Sequence, residues 1–256
     1  MSTPGQAERG WPSLGVVVPV YNEGASIEGA CREVVDAVRR YGGRAVVIAV
    51  DDGSADDSAA IIRRVAGELD ELELVSHERN AGYGAALRTG ASRAQELGLD
   101  YVAFIDSDLT NPPSDLLKIG QLAQAGHPYI KASRFVPGGD MSAVPFERRI
   151  VSRAGNLVAS ALFGTRVRDV TNGFRAGRTD LICSWPTQER TFAVIVEEFA
   201  CARRDGVVPV EFPTSLSARS GQQRRSAFSY SPELIRSYLR YPLRAFLERM
   251  HLTPRS

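Results

Sequence analysis

Cysteine is scarce in this chain: Cys31, Cys183 and Cys201 are the only three, odd in number and far apart. That excludes a disulfide framework and a closely spaced thiolate cage, and it predicts free thiols in a reducing cytoplasm. Histidine is equally sparse, with His77, His127 and His251 scattered, so a His-based metal site is not expected. An excess of one charge sign is also missing: Lys plus Arg number 31 against 30 Asp plus Glu, a formal net charge of +1. No global field draws nucleic acid, and any affinity for anions must come from local clusters. No apolar run approaches the roughly 18–20 residues that span a bilayer. The start of the chain is polar through Gly10, without a signal-peptide core. A cytoplasmic protein is expected, peripheral to the cytoplasmic membrane face at most.

What is present is ordinary globular material, 43% hydrophobic and 24% charged over 256 residues. That length fits one α/β domain with a tail. Residues 1–12 read as a disordered lead. The run from Leu14 to Val20 is short, apolar and Val-rich, as suits a strand buried on both faces of a parallel sheet. A turn at Tyr21–Gly24 follows, and then Ile27, Ala30, Val34, Val35 and Val38 recur at helical spacing. The rhythm repeats. Strands are expected at Ala45–Val50, Leu72–Ser76 and Tyr101–Ile105, with helices at about Ser58–Leu69 and Ala85–Leu97. Strand and helix in alternation imply a parallel sheet with helices on its faces.

The second half is less regular. A strand is expected at Tyr129–Ser133, a helix at Arg148–Phe163, a helix at Ala193–Arg203 and a strand at Val207–Phe212. The polar, basic stretch Ser217–Tyr230 reads as a mobile loop. From Pro232 to Met250 apolar residues alternate with arginines, an amphipathic helical tail with a candidate break at Pro242.

In an open parallel sheet, ligands bind outside the carboxyl ends of the strands. The polar clusters sit at those ends. Tyr21-Asn22-Glu23 follows the first strand, Asp51-Asp52 the second and Asp106-Ser107-Asp108 the fourth. A single Asp after a strand is often only a helix cap. Three clusters on one edge argue for a site. Asp106 and Asp108, two residues apart off a strand end, can point the same way and would repel if unpaired. A divalent cation, Mg²⁺ or Mn²⁺, resolves that conflict, since it takes one or two carboxylates and completes its shell with substrate phosphates.

Four segments, Pro19-Val20-Tyr21-Asn22-Glu23, Val50-Asp51-Asp52-Gly53-Ser54, Asn80-Ala81-Gly82-Tyr83-Gly84-Ala85-Ala86 and Asp106-Ser107-Asp108, occur in one order. Together they resemble the family 2 inverting glycosyltransferases of GT-A fold. The resemblance implies a Rossmann-like, mostly parallel sheet flanked by helices. It places Pro19, Tyr21, Glu23, Asp51, Asp52, Gly82, Asp106 and Ser107 at the donor nucleotide, with Asp106 and Asp108 at the metal. Ser133-Arg134-Phe135, Pro137-Gly138-Gly139 and Asp169-Val170-Thr171-Asn172-Gly173-Phe174-Arg175 resemble segments of dolichyl- and polyprenyl-phosphate sugar synthases. Arg219-Ser220-Gly221 with Arg224, Arg225 and Ser226 resembles their basic loop. Those synthases often carry Gln two residues after the second metal-site Asp. Thr110 stands there in this chain and is a shorter ligand.

The resemblance thus divides the chain into a GT-A domain at 13–231, with a nucleotide-sugar half at 13–125 and an acceptor half at 126–231, and a tail at 232–256. The expected reaction moves a hexose from a GDP- or UDP-sugar to a polyprenyl or dolichyl phosphate. A lipid phosphate is already an oxyanion and needs positive charge rather than a base. Ser133, Arg134, Arg175, Arg219 and Arg224 are the candidates to hold it, because guanidinium grips phosphate bidentately. A hydroxyl acceptor would need a carboxylate base. Glu197 and Glu198 stand at a suitable place, with an ion pair to Arg203 or Arg204 as the alternative. A soluble phosphorylated acid or secondary metabolite is the second acceptor class. A non-catalytic nucleotide-sugar-binding subunit is the third reading. The basic tail suggests peripheral membrane contact or a membrane-anchored partner subunit.

Overall fold

Seven residues from Leu14 to Val20 form β1, and all of them are buried. Val16, Val18 and Val20 face one apolar layer and Val17 the other, because successive strand side chains point to opposite faces. The computed structural model describes residues 10–217 and 232–250 of the chain. Of the expected lead at residues 1–12, residues 1–9 lie outside the described residues, while Trp11 packs edge-on against Tyr41; the basic stretch expected at Ser217–Tyr230, with Arg219, Arg224 and Arg225, lies outside them from residue 218 on.

β1 pairs in parallel with β2 (Ala45–Asp51) and β4 (Tyr101–Phe104), and β2 pairs in parallel with β3 (Leu72–Ser76). The sheet continues through β5 (Tyr129–Ser133), β6 (Arg175–Arg178) and β7 (Val210–Pro213), in the order β3-β2-β1-β4-β6-β5-β7. Helices α1 (Ile27–Val38), α2 (Ser58–Ala66) and α4 (Leu116–Gln124) cover one face. Helices α3 (Tyr83–Glu96), α6 (Thr179–Ser184) and α7 (Val194–Arg204) cover the other. Helix α5 (Phe146–Phe163) packs beside α8 (Pro232–Arg249).

Four features correct the sequence reading. β6 runs antiparallel to both β4 and β5. Four residues containing Gly177 and two arginines carry no apolar run, so local pattern does not reveal a strand. The expected strand at Val207–Phe212 forms only from Val210. Helices α4 and α6 were not anticipated. Helix α8 passes through Pro242 without ending, although proline removes one backbone donor from the helix ladder.

Candidate active site

β2, β1 and β4 are neighbours in the sheet and parallel, so their carboxyl ends share one edge. At that edge Asn22 takes a left-handed φ of 55°. Its turn is interlocked with the loop after β2. The Asn22 amide donates to Ser54 Oγ at 2.9 Å, the Glu23 amide to Ser58 Oγ at 2.8 Å, and the Ala55 amide to Asn22 Oδ1 at 2.8 Å. The Tyr21 ring stands at the mouth, 48% exposed, and Pro19 is buried within β1. Asp51 is buried, and its Oδ1 accepts from the Ser54 amide at 3.4 Å.

Asp52 behaves differently from its neighbour. Its Oδ1 accepts from the Ala81 amide at 2.9 Å and its Oδ2 from the Gly82 amide at 2.8 Å. His77 Nδ1 lies 2.7 Å from Oδ1, and Nε2 lies 2.9 Å from Thr89 Oγ1. Asp52 therefore clamps the loop that opens α3. Gly82 sits at φ 99°, and an added methyl would meet the Arg190 carbonyl oxygen at 2.6 Å, so only glycine fits.

Asp106, Ser107 and Asp108 are half-buried in a turn where the Leu109 amide donates to the Asp106 carbonyl at 3.1 Å and Leu109 takes φ 48°. The Tyr83 hydroxyl donates to Asp106 Oδ1 at 2.8 Å. The Thr110 hydroxyl donates to Asp108 Oδ1 at 3.1 Å, and the Thr110 amide does so at 3.2 Å. Thr110 thus steadies a carboxylate at the position where the resembling synthases often carry the longer Gln. Gly173 closes the other side: a methyl there would stand 3.2 Å from Asp106 Oδ2 and 3.4 Å from the Tyr83 hydroxyl. The sequence reading quoted both Tyr83 and Gly173 within matched segments but gave neither a role. An aromatic after Gly82 reads as core until its hydroxyl is traced to Asp106.

The acceptor residues are largely engaged within the protein. Ser133 is fully buried, and its Oγ accepts from the Phe135 amide at 3.4 Å. Arg134 makes a two-point ion pair with Asp169, at 2.7 Å on both arms, and also reaches Thr171 Oγ1 at 3.0 Å. Burial raises the Asp169 carboxyl, but the Arg134 charge and hydrogen bonds outweigh it and leave the group below its ordinary range. Asp169 also accepts from the Arg134 and Asn172 amides, and Glu211 accepts from the Arg168 and Asp169 amides. Lys131, fully buried, donates to the Asn172 carbonyl at 3.0 Å. Burial, aided by the Arg175 charge, brings its ammonium down to about 7. The whole 169–175 segment is therefore held rigidly against Asp106.

Arg175, Glu198 and Glu197 are each held by partners within the protein. Arg175 has no solvent exposure. Its Nε and Nη2 bind Glu198 at 2.7 and 2.6 Å, its Nη1 donates to the Gly173 carbonyl at 2.8 Å, and its guanidinium lies 4.5 Å from the Phe104 ring. It thereby holds the Gly173 turn through its carbonyl. Glu198 also accepts from the Tyr129 hydroxyl at 2.9 Å. Glu197 accepts from the Gln188 and Glu189 amides at 3.0 and 2.8 Å. Neither glutamate makes the ion pair with Arg203 or Arg204 given above as the alternative. Arg203 donates to the Phe163 carbonyl, and Arg204 pairs with Asp205.

The profile of glycosyl transferase family 2 matches residues 15–183. A polyprenol monophosphomannose synthase of Mycolicibacterium smegmatis is 28% identical over 193 residues, 71% of each chain. An undecaprenyl-phosphate mannosyltransferase of Micrococcus luteus is 30% identical over 65% of this chain and 66% of its own. An undecaprenyl-phosphate 4-deoxy-4-formamido-L-arabinose transferase of Pseudomonas syringae is 34% identical over 66% of this chain, which spans about half, 48%, of that protein. Among solved structures, a glucosyl-3-phosphoglycerate synthase of Mycobacterium tuberculosis with Mn²⁺, uridine diphosphate and phosphoglyceric acid superposes with a TM-score of 0.64. It is 21% identical and covers 98% of this chain and 86% of its own, a likeness of fold. The match over residues 15–183, the sheet order and the acidic strand-end edge converge: the chain belongs to glycosyl transferase family 2 and is a glycosyltransferase of GT-A fold.

Proposed function

We propose that the protein transfers a hexose from a GDP- or UDP-sugar to a polyprenyl phosphate, with Mg²⁺ or Mn²⁺ held at Asp106 and Asp108. The observation that carries this is the carboxylate pair at the end of β4, each member steadied at one oxygen by a hydroxyl, next to the buried Asp51 at the end of β2. Among the described residues no cluster of three or more His, Cys, Asp or Glu could cage a metal. Two carboxylates fit a hard cation that draws its remaining oxygens from a diphosphate and water. When bound, it would neutralise charge on the departing diphosphate. Asp51 and the exposed Tyr21 ring suit the nucleoside end of the donor. Ser107, beside the carboxylate pair, and Gly82 complete the proposed donor set.

The engagement of Glu197 and Glu198 favours an acceptor that arrives ionised. Arg134 at the Asp169 segment is the described cation best placed to meet it. The names of the relatives point to lipid phosphates. No helix among the described residues is long and apolar enough to cross a membrane. However, α5 exposes Phe146, Ile150 and Leu157, its neighbour α8 exposes Leu243 and Leu247, and Met250 just past it is exposed too. Arg148, Arg149, Arg153, Arg244 and Arg249 are interleaved, a composition suited to the surface of an anionic bilayer on the cytoplasmic side.

A screen of GDP- and UDP-sugars with Mn²⁺ for thermal stabilisation identifies the donor, since binding to the folded state raises apparent stability. Transfer from that donor to extracted polyprenyl phosphates, set against water-soluble phosphorylated acids, then decides the acceptor. Turnover on the soluble acids alone would overturn the lipid assignment.

A further inference from the structure

We propose that the C-terminal helix α8 orients the metal-site carboxylate of Asp106 through three aromatic residues, Tyr238, Phe192 and Tyr83. The proposal rests on the metal assignment above.

The relay has three contacts. The Tyr238 hydroxyl, on α8, donates to the Phe192 carbonyl at 3.1 Å. The Phe192 ring lies against the Tyr83 ring, centroids 4.3 Å apart and planes 34° from parallel. The Tyr83 hydroxyl donates to Asp106 Oδ1 at 2.8 Å.

The segment carrying Phe192 is gripped on both sides. From α8, the Tyr241 hydroxyl donates to Glu189 Oε1 at 2.9 Å. From α3, Arg88 donates to the Glu189 carbonyl at 2.9 Å and the Gly84 amide to the Arg190 carbonyl at 3.0 Å. The approach is so close that a methyl on Gly84 would meet the Glu189 carbonyl oxygen at 2.0 Å. Residues 187–192 therefore form a rigid strap between α8 and the start of α3, and the Tyr83 ring cannot tilt without moving Phe192.

The consequence is chemical. A carboxylate with one oxygen held by a fixed donor presents the other in a set direction. Asp106 Oδ2 lies beside Gly173, where an added methyl would stand 3.2 Å from it. Partners of this kind, one bond removed from a metal, typically change its affinity by about 10–100-fold. In this arrangement the surface helix that carries the basic apolar face is mechanically joined to the donor site.

The test is Mn²⁺ binding to the full chain in the presence of UDP or GDP, followed by electron paramagnetic resonance. Tyr83→Phe keeps the ring and removes one hydroxyl. It is expected to weaken Mn²⁺ by about tenfold or more. Tyr238→Phe, far from the metal, is expected to weaken it in the same direction by a smaller factor. Because breaking the last contact makes the first irrelevant, the double variant should match Tyr83→Phe alone, a non-additive pair. Melting curves confirm that each variant is folded. Unchanged affinity in Tyr83→Phe or Tyr238→Phe, or factors that multiply in the double variant, would overturn the relay. Asp108→Asn is run beside them. Mn²⁺ binding that survives it would instead overturn the metal assignment, and with it the role of the relay.

Discussion

Arg175 and Glu198 form a two-point ion pair at 2.7 and 2.6 Å in which the guanidinium has no solvent exposure. The pair joins β6 to α7 and, through Arg175 Nη1, fixes the carbonyl of Gly173 beside Asp106. A residue type that usually grips substrate phosphate here supports the floor of the site. Glu198→Gln or Arg175→Ala leaves a buried charge without its partner. Loss of about 3–5 kcal/mol of stability is expected, measured by urea unfolding. A variant that kept full stability and lost only acceptor affinity would show that Arg175 meets the acceptor after all.

Asp108→Ala removes the carboxylate that Thr110 holds through its hydroxyl and amide. Turnover and Mn²⁺ binding are both expected to fall by about 100-fold or more, given the charge that a metal neutralises at a diphosphate. Thr110→Val, which removes only the hydroxyl, is expected to fall by about tenfold. Calorimetric titration of Mn²⁺ with UDP or GDP separates these outcomes.

Asp52→Ala leaves the Ala81 and Gly82 amides and His77 without their acceptor. Unpartnered buried donors are expensive, so a loss of about 2 kcal/mol or more is expected. Hydrogen exchange at the Ala81 and Gly82 amides should rise well before the sheet amides do. Equal protection in the variant would refute the clamp.

Lys131 is held down to about 7, by burial first and then by the Arg175 charge, from an ordinary 10.5. Between those two values the unfolded chain binds the proton and the folded chain does not. Stability from this group therefore rises with pH from near 7 and levels off above 10.5. Urea unfolding across this range should show that rise in the native protein and a flatter profile in Lys131→Met. Parallel profiles would contradict the burial argument.

The α5 and α8 face is tested on vesicles. Leu243→Glu with Leu247→Glu places two acids among exposed apolar residues on α8. Binding to anionic vesicles in a flotation assay is expected to drop, and binding of the native chain to weaken with salt. Salt-insensitive binding, or binding unaffected by the two acids, would remove this face as the contact.

Much of the fold can be read locally. β1 and β2 declare themselves as Val-rich runs, β3 and β4 as shorter apolar ones, and α1 by its spacing from Ile27 to Val38. The strand-end positions of Asp51, Asp106 and Asp108 follow from those runs, because a parallel sheet must bury its strands and release the chain at one edge. β6 escaped notice because Arg175, Ala176, Gly177 and Arg178 bear no periodic signal, and the strand exists only because β4 and β5 flank it.

The side-chain partners are a different matter. A sequence records that Arg175, Arg134, Glu197 and Glu198 carry charge, and a charged residue in a matched segment reads as a ligand. Whether that charge faces substrate or a partner distant in the chain depends on which elements pack together. Folding pairs Arg175 with Glu198 and Arg134 with Asp169, because a buried charge is tolerated only beside its opposite. By itself the sequence determined the sheet edge, the family and the acidic pair. The tertiary structure alone decided that Tyr83 holds Asp106 and Thr110 holds Asp108, since those hydrogen bonds depend on angles and distances that no residue pattern encodes.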